Sequence, residues 1–100
     1  MHVPHELAYD ARLSTSEASV STGIPGEVVI LDPTSGRYYS LDGVGARVWE
    51  LLSGSTNLAT LLEAIQSEYH VDAATCERDV RALLDDLIAQ GLVRVDAARP

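Results

Sequence analysis

The sequence predicts an α+β domain of the winged helix-turn-helix type: a three-stranded antiparallel sheet followed by three helices. Three observations carry this. Two turn signals, "GIPG" at 23–26 and "DPTSG" at 32–36, punctuate short β-branched and aromatic runs. From Gly43 onward the apolar spacing changes from that of a strand to that of a helix. The last two helical segments are joined only by "HVD" at 70–72, a helix-turn-helix joint. At 100 residues the chain is the size of one small domain.

Residues 1–16 are polar, include Pro4 and hold no sustained period, so they are read as a partly mobile N-terminal arm. A domain at 17–96 and a tail at 97–100 follow. Alternation over 17–22 is weak, with Ser and Thr where better strand formers are expected, whereas "EVVIL" at 27–31 is strongly β-branched. "RYYSL" at 37–41 returns beside it after a turn in which Pro33 fixes φ and Gly36 can take positive φ. This last strand has one paired side and one side open unless covered.

Asp42 is placed to cap a helix over 43–53, with Val44, Val48, Trp49, Leu51 and Leu52 near one face and Gly54 as its stop. Asn57 can cap a second helix, whose Leu58, Leu61, Leu62, Ile65 and Tyr69 follow the i, i+3, i+4, i+7 rule. Asp72 can cap a third, running to about Gln90, with Cys76, Val80, Leu83, Leu84, Leu87 and Ile88 on it and Gly91 beyond. "LVRV" at 92–95 reads as one short strand.

Composition excludes several functions. With no Phe and one Trp, the core must be mainly aliphatic. Seven Arg, no Lys and fifteen acids give a formal charge of −8, which repels phosphate backbones. The third helix, which would enter a major groove in a DNA-binding relative of this fold, carries five acids against two arginines. Nucleic acid is therefore not an expected partner. A single cysteine, Cys76, forbids an internal disulfide. The N-terminus lacks a basic start followed by an apolar run, and no stretch approaches a membrane span, so a cytoplasmic protein without membrane contact is expected.

No constellation points to catalysis. His70 and Cys76 are near in sequence, but no oxyanion segment or orienting residue accompanies them, and a lone cysteine is commonly a small buried hydrophobe. His2 and His5 lack a third ligand, so no metal is expected. Asp79, Asp85 and Asp86 read as a solvated helix edge, since adjacent helical residues point about 100° apart. "GVG" at 43–45 lacks the third glycine of a dinucleotide fingerprint and is read as a close strand-to-helix junction, so no cofactor is expected.

The sheet poses the remaining question. Val29, Leu31, Tyr39 and Leu41 share one parity and Val28, Ile30 and Tyr38 the other, so apolar residues occupy both faces. Helices on one side do not require this. Either the arm or a twin subunit covers the second face, or a groove between the edge strand and the third helix takes a peptide by β-augmentation.

The series "VVILDPTSGRYYSLDGVGARVWELLSGST", "LLEAIQSEYHVD" and "DVRALLDDLIAQGLV" resembles the PqqD-like family, the small proteins of pyrroloquinoline quinone synthesis and their relatives. Within it, "GRYYSLDGVGARVWELLSG" looks most like the stand-alone RiPP recognition elements encoded with lasso peptides. The resemblance implies a non-catalytic adaptor that binds the leader segment of a precursor peptide and delivers it to a cysteine-protease-like leader peptidase, with the cyclase as a further partner.

It also implies a site. The backbone of Arg37, Tyr38, Tyr39, Ser40 and Leu41 would pair antiparallel with the leader, and Cys76, Asp79, Val80, Leu83, Asp86 and Leu87 would form the other wall. Of these, Val80, Leu83 and Leu87 would receive apolar leader side chains, and Asp79, Asp86 and Arg37 would set polar register at the rim. Leu84 and Ile88 are assigned to the core. Rival readings are a PqqD-type adaptor for a radical maturase, an acidic winged-helix dimerisation module, for which a homodimer is expected, and a small Cys-dependent hydrolase.

Overall fold

A computed structural model describes residues 7–16 and 20–96. The beginning of the expected arm with His2 and His5, the start of the expected first strand at 17–19 and the tail at 97–100 lie outside the described residues. The elements run in the order β1 (Arg12–Thr15), β2 (Val20–Thr22), β3 (Glu27–Asp32), β4 (Arg37–Asp42), α1 (Gly43–Ser53), β5 (Thr56–Asn57), α2 (Leu58–Glu68), α3 (Ala73–Ala89) and β6 (Val93–Asp96). The α+β class and the antiparallel β2-β3-β4 sheet followed by three helices match the sequence reading.

The arm does not extend to residue 16. Its second half forms β1, the middle strand of a second sheet ordered β5-β1-β6, with Leu13 wholly buried and Ala11 nearly so. "RLST" offers one large apolar residue and its partner strands lie far along the chain, so neither period nor turn chemistry reveals it.

The faces of the first sheet also differ from the parity reading. Val28 lies opposite Leu41, Ile30 opposite Tyr39 and Leu31 opposite Tyr38. Directly opposed residues share a face, and this register opposes even to odd numbers. The inner face is therefore Val28, Ile30, Tyr39 and Leu41, and the outer face is Val29, Leu31, Tyr38 and Ser40. Burial agrees: Ile30 is sealed, while Tyr38 is 70% exposed.

The helices begin and end near the expected points. Asn57 Oδ1 accepts from Thr60 N at 2.8 Å and Asp72 Oδ1 from Thr75 N at 2.9 Å, each satisfying an orphan donor of the first turn. Asp42 occupies the N-cap of α1 with extended backbone, but its side chain makes no cap bond. The strand passes straight into the helix there through Gly43, at φ +54°, a left-handed conformation that favours glycine.

One core joins these elements. Val28 and Ile30 from the sheet meet Val48, Trp49 and Leu52 of α1, Leu61 and Ile65 of α2, and Val80, Leu84 and Leu87 of α3, with Leu13, Leu92 and Val93 closing the second sheet. Burial of each aliphatic side chain contributes about 1.5–3 kcal/mol before entropy is counted.

Candidate functional site: an edge strand backed by an apolar cavity

Strand β4 is the last strand of its sheet, and among the described residues nothing pairs with its far side. Opposed residues in an antiparallel pair alternate between hydrogen-bonded and non-bonded positions. Gly43 N donates to Gly26 O at 3.0 Å, continuing the β3-β4 register by one pair, so bonded positions recur at Leu41 and Tyr39. The N–H and C=O of Tyr38 and Ser40, and the N–H of Asp42, consequently aim at the open edge. At the hairpin end, Arg37 N donates to Ser35 Oγ at 3.2 Å.

Behind the C-terminal end of this edge lies a cavity of about 270 Å³. Helix α3 contributes Cys76, Asp79, Val80 and Leu83, which at i, i+3, i+4 and i+7 fall on one face. Helix α1 contributes Val44, Gly45 and Val48, and the α2–α3 joint contributes Ile65, Tyr69 and Val71. All but Asp79 are apolar or offer mainly apolar surface, and the Asp79 carboxylate is largely exposed beside Arg78, 3.4 Å away. At its other end α3 is tied to the sheet: Tyr39 Oη donates to Gln90 Oε1 at 2.7 Å.

The structure thus brings four of the six expected helix residues to one cavity next to the expected strand. Asp86 is exposed and outside this lining. Leu87, 2% exposed, packs in the core and lies outside this lining, whereas Cys76 and Val80 are as buried but border the cavity. Leu84 is core as expected, and Ile88 packs partly buried against it. The α1 and joint residues were missed. Their one sequence signal was Gly45, a glycine in the first turn of an otherwise ordinary helix. The close-junction reading of "GVG" holds at Gly43, whose positive φ carries β4 directly into α1, and not at Gly45, where a Cβ would meet only ordinary contacts with Leu41 and Leu83 at 3.6–3.8 Å.

A neighbouring face of α3 is clasped by the chain leading into β1. Tyr9 Oη and Arg81 Nε both donate to Glu77 Oε2, at 2.6 and 2.8 Å. Arg81 Nη1 donates to Leu7 O at 2.9 Å, and its guanidinium sits 5.1 Å from the Tyr9 ring centre. The Tyr9 hydroxyl and then Arg81 hold the Glu77 carboxyl below its usual range.

The site has little nucleophilic character. Burial, then the carboxylates of Asp79, Asp72 and Glu77, push the Cys76 thiol up, away from the thiolate that attack requires. Among the described residues no group of three His, Cys, Asp or Glu could hold a metal ion, and no helix is long and apolar enough to cross a membrane.

Residues 27–93 match the family model for coenzyme PQQ synthesis protein D, PqqD. The chain belongs to the PqqD family. It is 32% identical over 65 residues to a PqqA binding protein of Rhodopseudomonas palustris (strain ATCC BAA-98 / CGA009), covering 65% of this chain and 62% of that relative's length. The match therefore spans less than two thirds of that curated protein. Among solved structures, TbiB1 in complex with the TbiA(beta) leader peptide superposes with a TM-score of 0.77 at 41% identity, over 81% of this chain and 94% of TbiB1. A lasso peptide synthetase B1 complexed with its leader peptide gives a TM-score of 0.72 at 26% identity, over 82% and 96% of the two chains. This PqqD-family chain thus shares its fold with two proteins solved with leader peptides bound.

Proposed function

We propose that this PqqD-family protein is a non-catalytic adaptor that binds the leader segment of a ribosomally made precursor, a lasso peptide precursor by its similarity to the lasso peptide synthetase B1. The leader adds as a strand to β4, and the adaptor delivers the precursor to a leader peptidase of the cysteine-protease type, with the cyclase as a further partner, in the cytoplasm. The observation that carries this reading is the six-residue edge of β4, unpaired among the described residues, with an apolar cavity beside it. Main-chain pairing along an edge supplies affinity and pockets for alternate side chains supply specificity, which are the two parts of β-augmentation.

The adaptor acts by tethering. A precursor held beside its enzyme experiences an effective concentration of about the millimolar range for a short linker, with no chemistry from the adaptor itself. The raised Cys76 thiol supports the non-catalytic assignment. A radical maturase as the recipient would use the same edge; the similarity to a PqqA binding protein favours that second reading, and the enzyme that co-purifies with the adaptor–precursor complex distinguishes the two.

The test is amide NMR with a synthetic peptide of the TbiA(beta) leader, the segment bound in the TbiB1 structure. Binding is expected to shift Tyr38, Ser40 and Asp42 together with Asp79, Val80 and Leu83. Unchanged signals at both elements overturn the reading, and self-association that buries Tyr38 without a leader response supports the dimerisation module instead.

A further inference from the structure

The third residue of α1 is a glycine whose backbone does not require one. Gly45 is outside the positive-φ set, and a Cβ built there would touch Leu41 Cδ2 and Cβ at 3.6 and 3.7 Å and Leu83 Cδ2 at 3.8 Å, all ordinary contacts. Glycine at such a position leaves the unfolded chain more conformational freedom than alanine, and Gly→Ala where the backbone allows it is usually stabilising. The chain forgoes that gain at a point lying between the edge strand, through Leu41, and the cavity wall of α3, through Leu83. The missing side chain leaves space in the cavity.

The register fixes what enters that space. A strand paired antiparallel to β4 puts the residue opposite Leu41 on the inner face, because directly opposed residues share a face. Leu41 abuts Gly45, so that incoming side chain points at the gap between Leu41 and Leu83. The nearby lining is Val44, Val48 and Val80, and Asp79 is turned to solvent at the rim. Such a lining accepts an uncharged aliphatic side chain and disfavours a carboxylate, which would lose water without gaining a donor.

Resting on the leader-binding reading, we propose that Gly45 is the specificity-determining residue of the site: its absent side chain makes room for one branched aliphatic anchor of the leader, opposite Leu41. Glycine here trades fold stability for the size of residue the groove admits.

The test measures stability and affinity on the same variants. Gly45→Ala is expected to raise the melting temperature by about 2–6 °C. It is also expected to weaken binding of a fluorescein-labelled TbiA(beta) leader peptide at least about fourfold, the loss of one methyl-sized space. Gly45→Leu, whose side chain would project into the cavity, is expected to weaken it at least about thirtyfold. A leader shortened at its anchor, Leu or Ile to Ala, binds wild type more weakly but loses less on going to Gly45→Ala. Wild-type binding with unchanged affinity in both folded variants overturns the role of Gly45 and leaves the adaptor reading standing. Absence of binding to the wild-type protein overturns the adaptor reading itself.

Discussion

The protein contains two three-stranded antiparallel sheets that deal with their edges in opposite ways. In the β5-β1-β6 sheet the middle strand is sealed, with Leu13 fully buried, and the edges are short: two residues in β5 and four in β6. In the β2-β3-β4 sheet the middle strand is sealed at Ile30, but β4 runs six residues along the boundary. Long exposed edges invite unwanted pairing and are usually blunted by short strands, charge or cover. One sheet fastens the two ends of the fold; the other presents backbone for pairing. The difference shows that an unblunted edge is informative when the same molecule blunts another.

The largest effect should come from breaking the fastening sheet. Leu13→Ala removes a wholly buried side chain and is expected to cost about 2–5 kcal/mol in urea unfolding. At low temperature, where the variant remains folded, leader affinity should stay within about twofold of wild type, because β1 does not touch the cavity. A matching loss of affinity would mean that the two sheets do not have separate duties.

Next comes the presenting edge. Ser40→Pro deletes an N–H aimed outward, at a position where an edge strand tolerates proline. It should leave the two-dimensional amide spectrum of the core intact and weaken leader binding more than about tenfold, since a paired donor is lost and the ring obstructs the incoming strand. Retained affinity would place the leader elsewhere. A smaller effect follows from Tyr39→Phe, which releases Gln90 from the β4–α3 tie and should cost about 0.5–1.5 kcal/mol of stability in thermal or urea unfolding.

The smallest effect is in acid. Backbone and hydroxyl donation from Thr75 hold Asp72 below its ordinary value of 3.8, and Tyr9 followed by Arg81 holds Glu77 below 4.5. A carboxyl whose folded pKa lies below its unfolded one adds stability that is complete above the unfolded value and is lost as pH falls through the folded value. Stability should therefore hold steady from neutral pH and decline below these values. In urea titrations, the difference between wild type and Glu77→Gln should shrink toward zero along that acid limb.

Much of this molecule was legible in the sequence. Asn57 and Asp72 act as caps, the helix bounds follow the apolar period, and "DPTSG" returns one strand beside another. The legible parts depend on neighbours close in the chain. What stayed hidden depends on distant ones: β1 is defined by partners at the other end of the domain, and the faces of β3 and β4 by a register that parity within one strand cannot reveal. The same limit divides the site. Cys76, Asp79, Val80 and Leu83 were implied by the family resemblance and lie on one helix, whereas Val44, Tyr69 and Val71 reach the cavity only through tertiary packing. Leu87, which the resemblance assigned to the groove, packs in the core: a carried-over position does not tell groove from core when both are apolar.

The most direct test of the presenting edge is amide hydrogen exchange on β4 with and without the synthetic leader. Tyr39 and Leu41 should be protected in the free protein, while Tyr38, Ser40 and Asp42 exchange freely and become protected only when the leader is added. Protection that alternates along the strand and is completed by the peptide is the predicted result; outward amides that stay unprotected in a saturated complex would contradict strand addition on β4.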